Sequence, residues 1–263
     1  MFIPIHDANH LRRIRLQWVT IALIASNVGV YLLSSLEGEA WTEAAVLGLG
    51  FIPSVVWDQA VLPPGYAIVP EDLTFLSYAF LHADWLHLGG NMLFLWVFGD
   101  NVEDALGHVR FLLFYLACAA AGALLHGLLD PSSQAPLIGA SGAIAGIVAA
   151  YLILHPRVKI WVLAFGRIPL RLPAWIVLAA WIAFQFAMLF LAGEAAISFA
   201  AHVGGLTAGA VLVVLLRRRD QPILDSHVMT PRAAEVPMRT PLPELGPWGL
   251  RTRTGQNGKS EPS

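Results

Sequence analysis

The chain has 263 residues, of which 57% are hydrophobic and only 13% charged. A soluble domain of this length carries about twice that share of charge, so the composition excludes an ordinary water-soluble fold and points to an all-α polytopic membrane protein. The formal net charge of −2 gives no footprint for nucleic acid, and a single cysteine, Cys118, gives no disulfide framework.

Residues 1–16 form a short N-terminal segment carrying Arg12, Arg13 and Arg15. The first apolar run, Gln17 to Leu36, is long enough to span a bilayer. It is too long for a signal peptide and lacks a small-residue cleavage site. Residues 37–77 read as an external loop, acidic and broken by Pro and Trp. Its amphipathic pieces, among them Leu47–Trp57, are expected at the membrane interface with Trp41 and Trp57 as anchors. A second span covers Trp85 to Val102 and ends in an acidic turn, Asp100–Asp104. A third covers Val109 to Leu129, and a short loop, Asp130–Pro136, follows. The fourth apolar run is Leu137 to Leu154. A basic loop, His155–Arg171, separates it from a fifth span, Leu172 to Ala192. A tight turn at Gly193–Glu194 leads to a sixth, Ala196 to Leu216, which stops at Arg217, Arg218 and Arg219. The tail, residues 217–263, has too little apolar surface to fold and is expected to be disordered.

All 16 Lys and Arg lie in the head, at Arg110, in the fourth–fifth loop and from Arg217 onward. Basic residues favour the cytoplasmic side, so six spans with both termini cytoplasmic are expected. Spans two, four and six then all start outside and run inward.

Four polar residues share one depth on these three spans. Ser141, in Gly139-Ala140-Ser141-Gly142, lies roughly 6 Å into span four, and His202 roughly 9 Å into span six. His87 and Asn91 sit near the start of span two, one helical turn apart and on one face. A histidine inside a span is expensive and marks a functional site with a named partner, here Ser141. An imidazole within reach can take the hydroxyl proton and return it to a leaving amine. His87, Asn91 and the Ser141 backbone amide can donate to a developing oxyanion. Close helix approach is available from Gly139, Gly142 and Gly146 on span four and from Gly205 and Gly209 on span six. No carboxylate lies within a turn or two of His202, so a Ser–His dyad without a third member is expected. The plainer alternatives are small-residue helix packing around Ser141, a carbonyl-bonded His202, and structural hydrogen bonds at His87 and Asn91. His82 and His87 are five apart and share no helical face, and no His-Glu-x-x-His pattern occurs, so no metal site and no cofactor are expected.

Three motifs in order resemble the rhomboid family of intramembrane serine proteases, across residues 72–216. Gly139-x-Ser141-Gly142 is similar to the family's nucleophile motif, Ala201-His202-x-x-Gly205 to its base motif, and His87-x-x-x-Asn91-Met92 to its oxyanion motif. Gly99, Glu103 and Gly107 match the end of that same helix, where the glutamate is structural. Two departures stand out. The first external loop has no arginine, where the family often has a Trp-Arg pair, so its anchoring must rest on tryptophans. Ala145 stands where some members have a tyrosine stacked on the base, so the imidazole must be oriented by another group.

The resemblance implies a six-helix rhomboid-like bundle over residues 17–216, in a bacterial inner membrane, its active site opening to the extracytoplasmic side. Its substrates would be transmembrane proteins cut in or near their membrane segments. The sequence leaves the oligomeric state open. A catalytically silent relative that binds membrane clients is the alternative, and its expected sign is loss of Ser141 or His202; both are present. A transporter would show an internal repeat or paired broken helices, and the two halves share none.

Overall fold

The computed structural model describes residues 2–191 and 199–224. The predicted turn at Gly193–Glu194 and the tail from residue 225 onward lie outside the described residues. In chain order the elements are β1 (Phe2–Asp7), α1 (Trp18–Glu37), α2 (Glu39–Leu49), the single turns α3 (Pro53–Val56) and α4 (Thr74–Ser77), α5 (Trp85–Leu106), α6 (His108–Leu129), α7 (Ser141–Leu154), β2 (Lys159–Ala164), β3 (Ile168–Pro173), α8 (Ala174–Leu191) and α9 (Phe199–Leu216).

Four of these helices, α1, α6, α8 and α9, are long and apolar enough to cross a membrane. The other two long helices differ for physical reasons. Helix α5 has 22 residues but carries Asp100, Glu103 and Asp104 in its last two turns. Helix α7 is apolar but has 14 residues, about 21 Å, which is short of a hydrocarbon layer roughly 30 Å thick. It is also the axis of the molecule. Every residue from Gly142 to Tyr151 is buried, with α5, α6, α8 and α9 packed around it.

Small residues make that packing possible. A Cβ on Gly205 of α9 would run into the carbonyl of Gly142, and one on Gly209 into the carbonyl of Gly146. On α7, a Cβ on Gly146 would lie 3.0 Å from the Gly205 carbonyl oxygen and against the Cys118 side chain of α6. Gly204 faces the other way, where its Cβ would meet Gly122 Cα of α6 at 3.0 Å. Helix α9 is thus wedged between α6 and α7 with backbone against backbone on both sides, the close approach that small residues give membrane helices.

The expected acidic turn after span two is helix. Helix α5 continues to Leu106, and Gly107, at φ 85, passes the chain directly into α6. Carboxylates near a helix C-terminus oppose its dipole, so they need partners, and the N-terminal segment provides them. Glu103, fully buried, accepts from the backbone amides of Val19 and Thr20 (3.0 and 2.8 Å) and from the Thr20 hydroxyl (2.7 Å), capping the start of α1. His108 Nδ1 contacts the same carboxylate. Asp104 accepts from three successive amides, those of Arg12, Arg13 and Ile14. Hydrogen bonds to a charged group contribute about 1.5–3 kcal/mol each, so two carboxylates fix the whole approach to α1. Arg13 also binds Asp220 at 2.8 Å, holding that carboxyl below its usual range.

The segment read as a basic loop, His155–Arg171, is largely a hairpin. Strands β2 and β3 pair antiparallel from Lys159↔Pro173 to Ala164↔Ile168, and β1 pairs antiparallel with β2, giving the sheet order β1-β2-β3. Ile160, Val162 and Ala164 are buried while Lys159 and Trp161 are exposed. The alternation was masked in sequence because the exposed face is itself partly apolar. Asp7 ties this sheet to the bundle: Tyr151 of α7 donates to it at 2.7 Å and Asn101 of α5 at 2.9 Å.

Residues 37–77 are folded back on the bundle. Phe51 and Leu137 exchange two backbone hydrogen bonds (3.1 and 2.8 Å), Ser77 donates to the Leu49 carbonyl at 2.6 Å, and Trp57 Nε1 donates to the Gly127 carbonyl at 3.1 Å. The expected amphipathic piece Leu47–Trp57 is interrupted at residues 50–52 by this bridge. Trp57 anchors the loop to α6, whereas Trp41 is exposed.

Two predictions follow from this packing. Gly205→Ala must separate α7 from α9 and is expected to destabilise the protein by at least about 1–3 kcal/mol. Gly89→Ala on α5, where an added Cβ meets nothing within 4 Å, is expected to be neutral or stabilising by up to about 1 kcal/mol. Thermal unfolding in detergent distinguishes them. Burial pushes Asp7 from 3.8 up to about 6. Its folded state therefore holds a proton more tightly than its unfolded state. That contribution to stability is complete below about 3.8 and lost as pH rises through about 6. The wild type should melt higher at pH 5 than at pH 7.5, and Asp7→Asn should reduce that difference.

Candidate active site

The loop before α7 sets the position of its first residue. Leu137 is held by Phe51, and the amide of Gly139 donates to the Tyr78 carbonyl at 2.9 Å. Gly139 adopts φ 118, a region that other residues avoid. It also has no room for a side chain, since a Cβ would lie 2.7 Å from Cε1 and Nε2 of His87 and 3.8 Å from Nδ2 of Asn91. Two residues later Ser141 opens α7, half-buried, where first-turn amides have no partner within the helix and the dipole is positive.

Helix α5 brings its pair from the other side. Asp84 caps α5 by accepting from the His87 amide at 2.8 Å. The Ala83 amide approaches His87 Nδ1 at 3.5 Å, which favours the tautomer with the proton on Nε2, the atom that faces Gly139. The His82 ring packs edge-on against His87 with centroids 5.0 Å apart. Asn91 is 8% exposed, and its Nδ2 has no hydrogen-bond partner among the described residues. A buried, unpartnered donor costs about 1–3 kcal/mol.

Helix α9 delivers His202. The preceding residue, Ala201, has its carbonyl oxygen 3.3 Å from a Cβ placed on Gly142. The residue after Ser141 and the residue before His202 are therefore in contact. The structure brings together the ends of α5, α7 and α9 that carry His87, Asn91, Ser141 and His202. The glycines at 139, 142, 146, 205 and 209 all lie at close approaches.

One neighbour of His202 was missing from the sequence reading. Gln185 of α8, 3% exposed, places its Oε1 2.7 Å from His202 Nδ1. Trp181, one turn earlier on the same face, packs against the imidazole at a tilt of 33° with centroids 6.0 Å apart, and Phe199 meets it edge-on at 6.1 Å. The orienting role that Ala145 cannot fill is available from these groups. The signal was present in the sequence: Gln185 is the one amide in an otherwise apolar 18-residue helix. Beside this assembly a cavity of about 570 Å³ lies between α5 and α8, lined by Phe94, Trp181, Phe184, Gln185, Phe199 and His202 among others. Phe94 and Trp181, both in its lining, are in contact with ring centroids 6.0 Å apart.

Comparison with known proteins agrees with the motifs. The family model described as Rhomboid domain matches residues 70–219, more than half of the chain. Rhomboid protein 1, mitochondrial, of Saccharomyces cerevisiae is 33% identical over 147 residues, covering 54% of this chain and 41% of that protein. Rhomboid-related protein 2 of Mus musculus is 33% identical over 162 residues, covering 59% and 53% respectively. The rhomboid protease GluP of Bacillus subtilis is 43% identical over 72 residues, covering 27% and 14%. The chain spans about half the length of the first two of these relatives. With three motifs in order on three converging helices and a family match over residues 70–219, the chain belongs to the rhomboid family.

Proposed function

We propose that this protein is an intramembrane serine endopeptidase, with Ser141 as nucleophile and His202 as its base. The observation that carries the reading is the convergence of Ser141, His202, His87 and Asn91 on one end of three helices, with a buried Asn91 donor left unpartnered among the described residues. In this mechanism the Ser141 hydroxyl attacks a peptide carbonyl while His202 Nε2 takes its proton. The oxyanion is held by Asn91 Nδ2, His87 Nε2 and the Ser141 amide. The proton on His202 passes to the leaving amine as the C–N bond breaks. Water then adds to the acyl-enzyme, giving a proton to His202, and as the ester bond to Ser141 breaks His202 passes that proton to the Ser141 oxygen, releasing the acid product and restoring the free serine and neutral imidazole.

The membrane setting supports the same roles. Six spans, with α5 and the short α7 among them and both termini cytoplasmic, would put the sheet inside and Ser141 below the outer surface, within reach of external water. Residues 17–216 would make up the protease domain, and residues 217–263 a cytoplasmic tail. The cavity beside His202 is apolar enough for a transmembrane segment that has unwound locally to expose its carbonyl. We place the protein in a cell inner membrane.

The test is cleavage of a reporter transmembrane segment in liposomes. Wild type is expected to cut it, while Ser141→Ala and His202→Ala fall to background. Asn91→Ala should lower kcat by about 10²–10³-fold, the loss seen when one oxyanion donor is removed. Cleavage that persists in Ser141→Ala would overturn the assignment, and no cleavage by folded wild type would favour a client-binding relative.

A further inference from the structure

We infer that Gln185 is a positioning residue for His202: its side-chain carbonyl accepts the Nδ1 proton, holding the imidazole in the tautomer whose Nε2 is a free acceptor. The inference rests on the Ser141–His202 reading and deepens it.

A primary amide buried in an apolar helix costs free energy unless it is bonded, and Gln185 is 3% exposed on α8. Its Oε1 is 2.7 Å from His202 Nδ1. An amide oxygen only accepts, so the hydrogen must lie on Nδ1. Neutral imidazole carries one N–H, so Nε2 is left with a lone pair, which is what a base for a serine hydroxyl needs. Trp181 and Gln185 are four residues apart and share a face. The indole packs against the ring at a tilt and the amide holds its edge, which restricts both rotation and tautomer. Where a carboxylate would stabilise the imidazolium strongly, an amide offers a dipole alone. Without it, the ring would be free to sit with Nε2 protonated and unable to accept.

A bond that merely glued α8 to α9 would affect stability and leave catalysis alone, so the test reads both. Purified protein carrying 15N-labelled histidine is compared with Gln185→Leu, which lacks the acceptor, and Gln185→Glu, which keeps one; His202→Ala identifies the His202 signals. Wild type should show His202 protonated on Nδ1. Gln185→Leu should lose that preference and lower kcat by roughly 10- to 100-fold with KM within about two-fold, and Gln185→Glu should restore Nδ1 protonation and much of kcat. Wild-type His202 protonated on Nε2 overturns the inference, even if Gln185→Leu does not fold. So does a Gln185→Leu protein with unchanged kcat and tautomer. If Ser141 is inert but the Nδ1 tautomer is present and lost in Gln185→Leu, the positioning role stands and the protease reading falls.

Discussion

The carbonyl oxygens of Gly142 and Gly146 lie where side chains on Gly205 and Gly209 would otherwise be, and the architecture of the site depends on that contact. Helices in lipid gain little from excluding water from one another, so their association rests on close packing and hydrogen bonds. Here backbone meets backbone along two turns, which fixes both the separation and the register of α7 and α9. Because Ser141 precedes Gly142 and His202 follows Ala201, the register of that contact is also the register of the two groups proposed for chemistry. A slip of one residue would turn one of them away.

The opposite end of the bundle is held by a different force. Glu103 and Asp104 gather five backbone amides from residues 12–20, and Asp7 joins the sheet to α5 and α7 through Asn101 and Tyr151. The two ends differ: satisfied carboxylates anchor one, while at the other Asn91 Nδ2 has no partner among the described residues. Between them α7 is apolar and almost wholly buried, a post running from the anchored end to the helix start that carries Ser141.

The long helices were legible in the sequence because hydropathy is a local signal, and helical spacing is what singled out Ser141, His202, His87 and Asn91 as a candidate site. The glycine spacing likewise read correctly as close approach. What escaped depended on partners distant in the chain. The acids of Asp100–Asp104 look like a turn until the amides of residues 12–20 are seen to satisfy them. The hairpin at 159–173 lacked a clean polar face, since Trp161 and Leu170 are on the surface. Gln185 is a lone amide whose meaning comes only from His202 on another helix. A search confined to carboxylates near His202 in sequence could not find it, although an amide isolated in an apolar span is the kind of residue that needs a partner.

The central claim is that this packing produces an activated serine at the start of α7. The most direct measurement is mapping of a fluorophosphonate adduct by peptide mass spectrometry on wild-type protein in detergent. The account predicts modification at Ser141 and no other serine, and its absence in folded His202→Ala. An adduct elsewhere, or an unmodified Ser141 in a folded wild type, would contradict it.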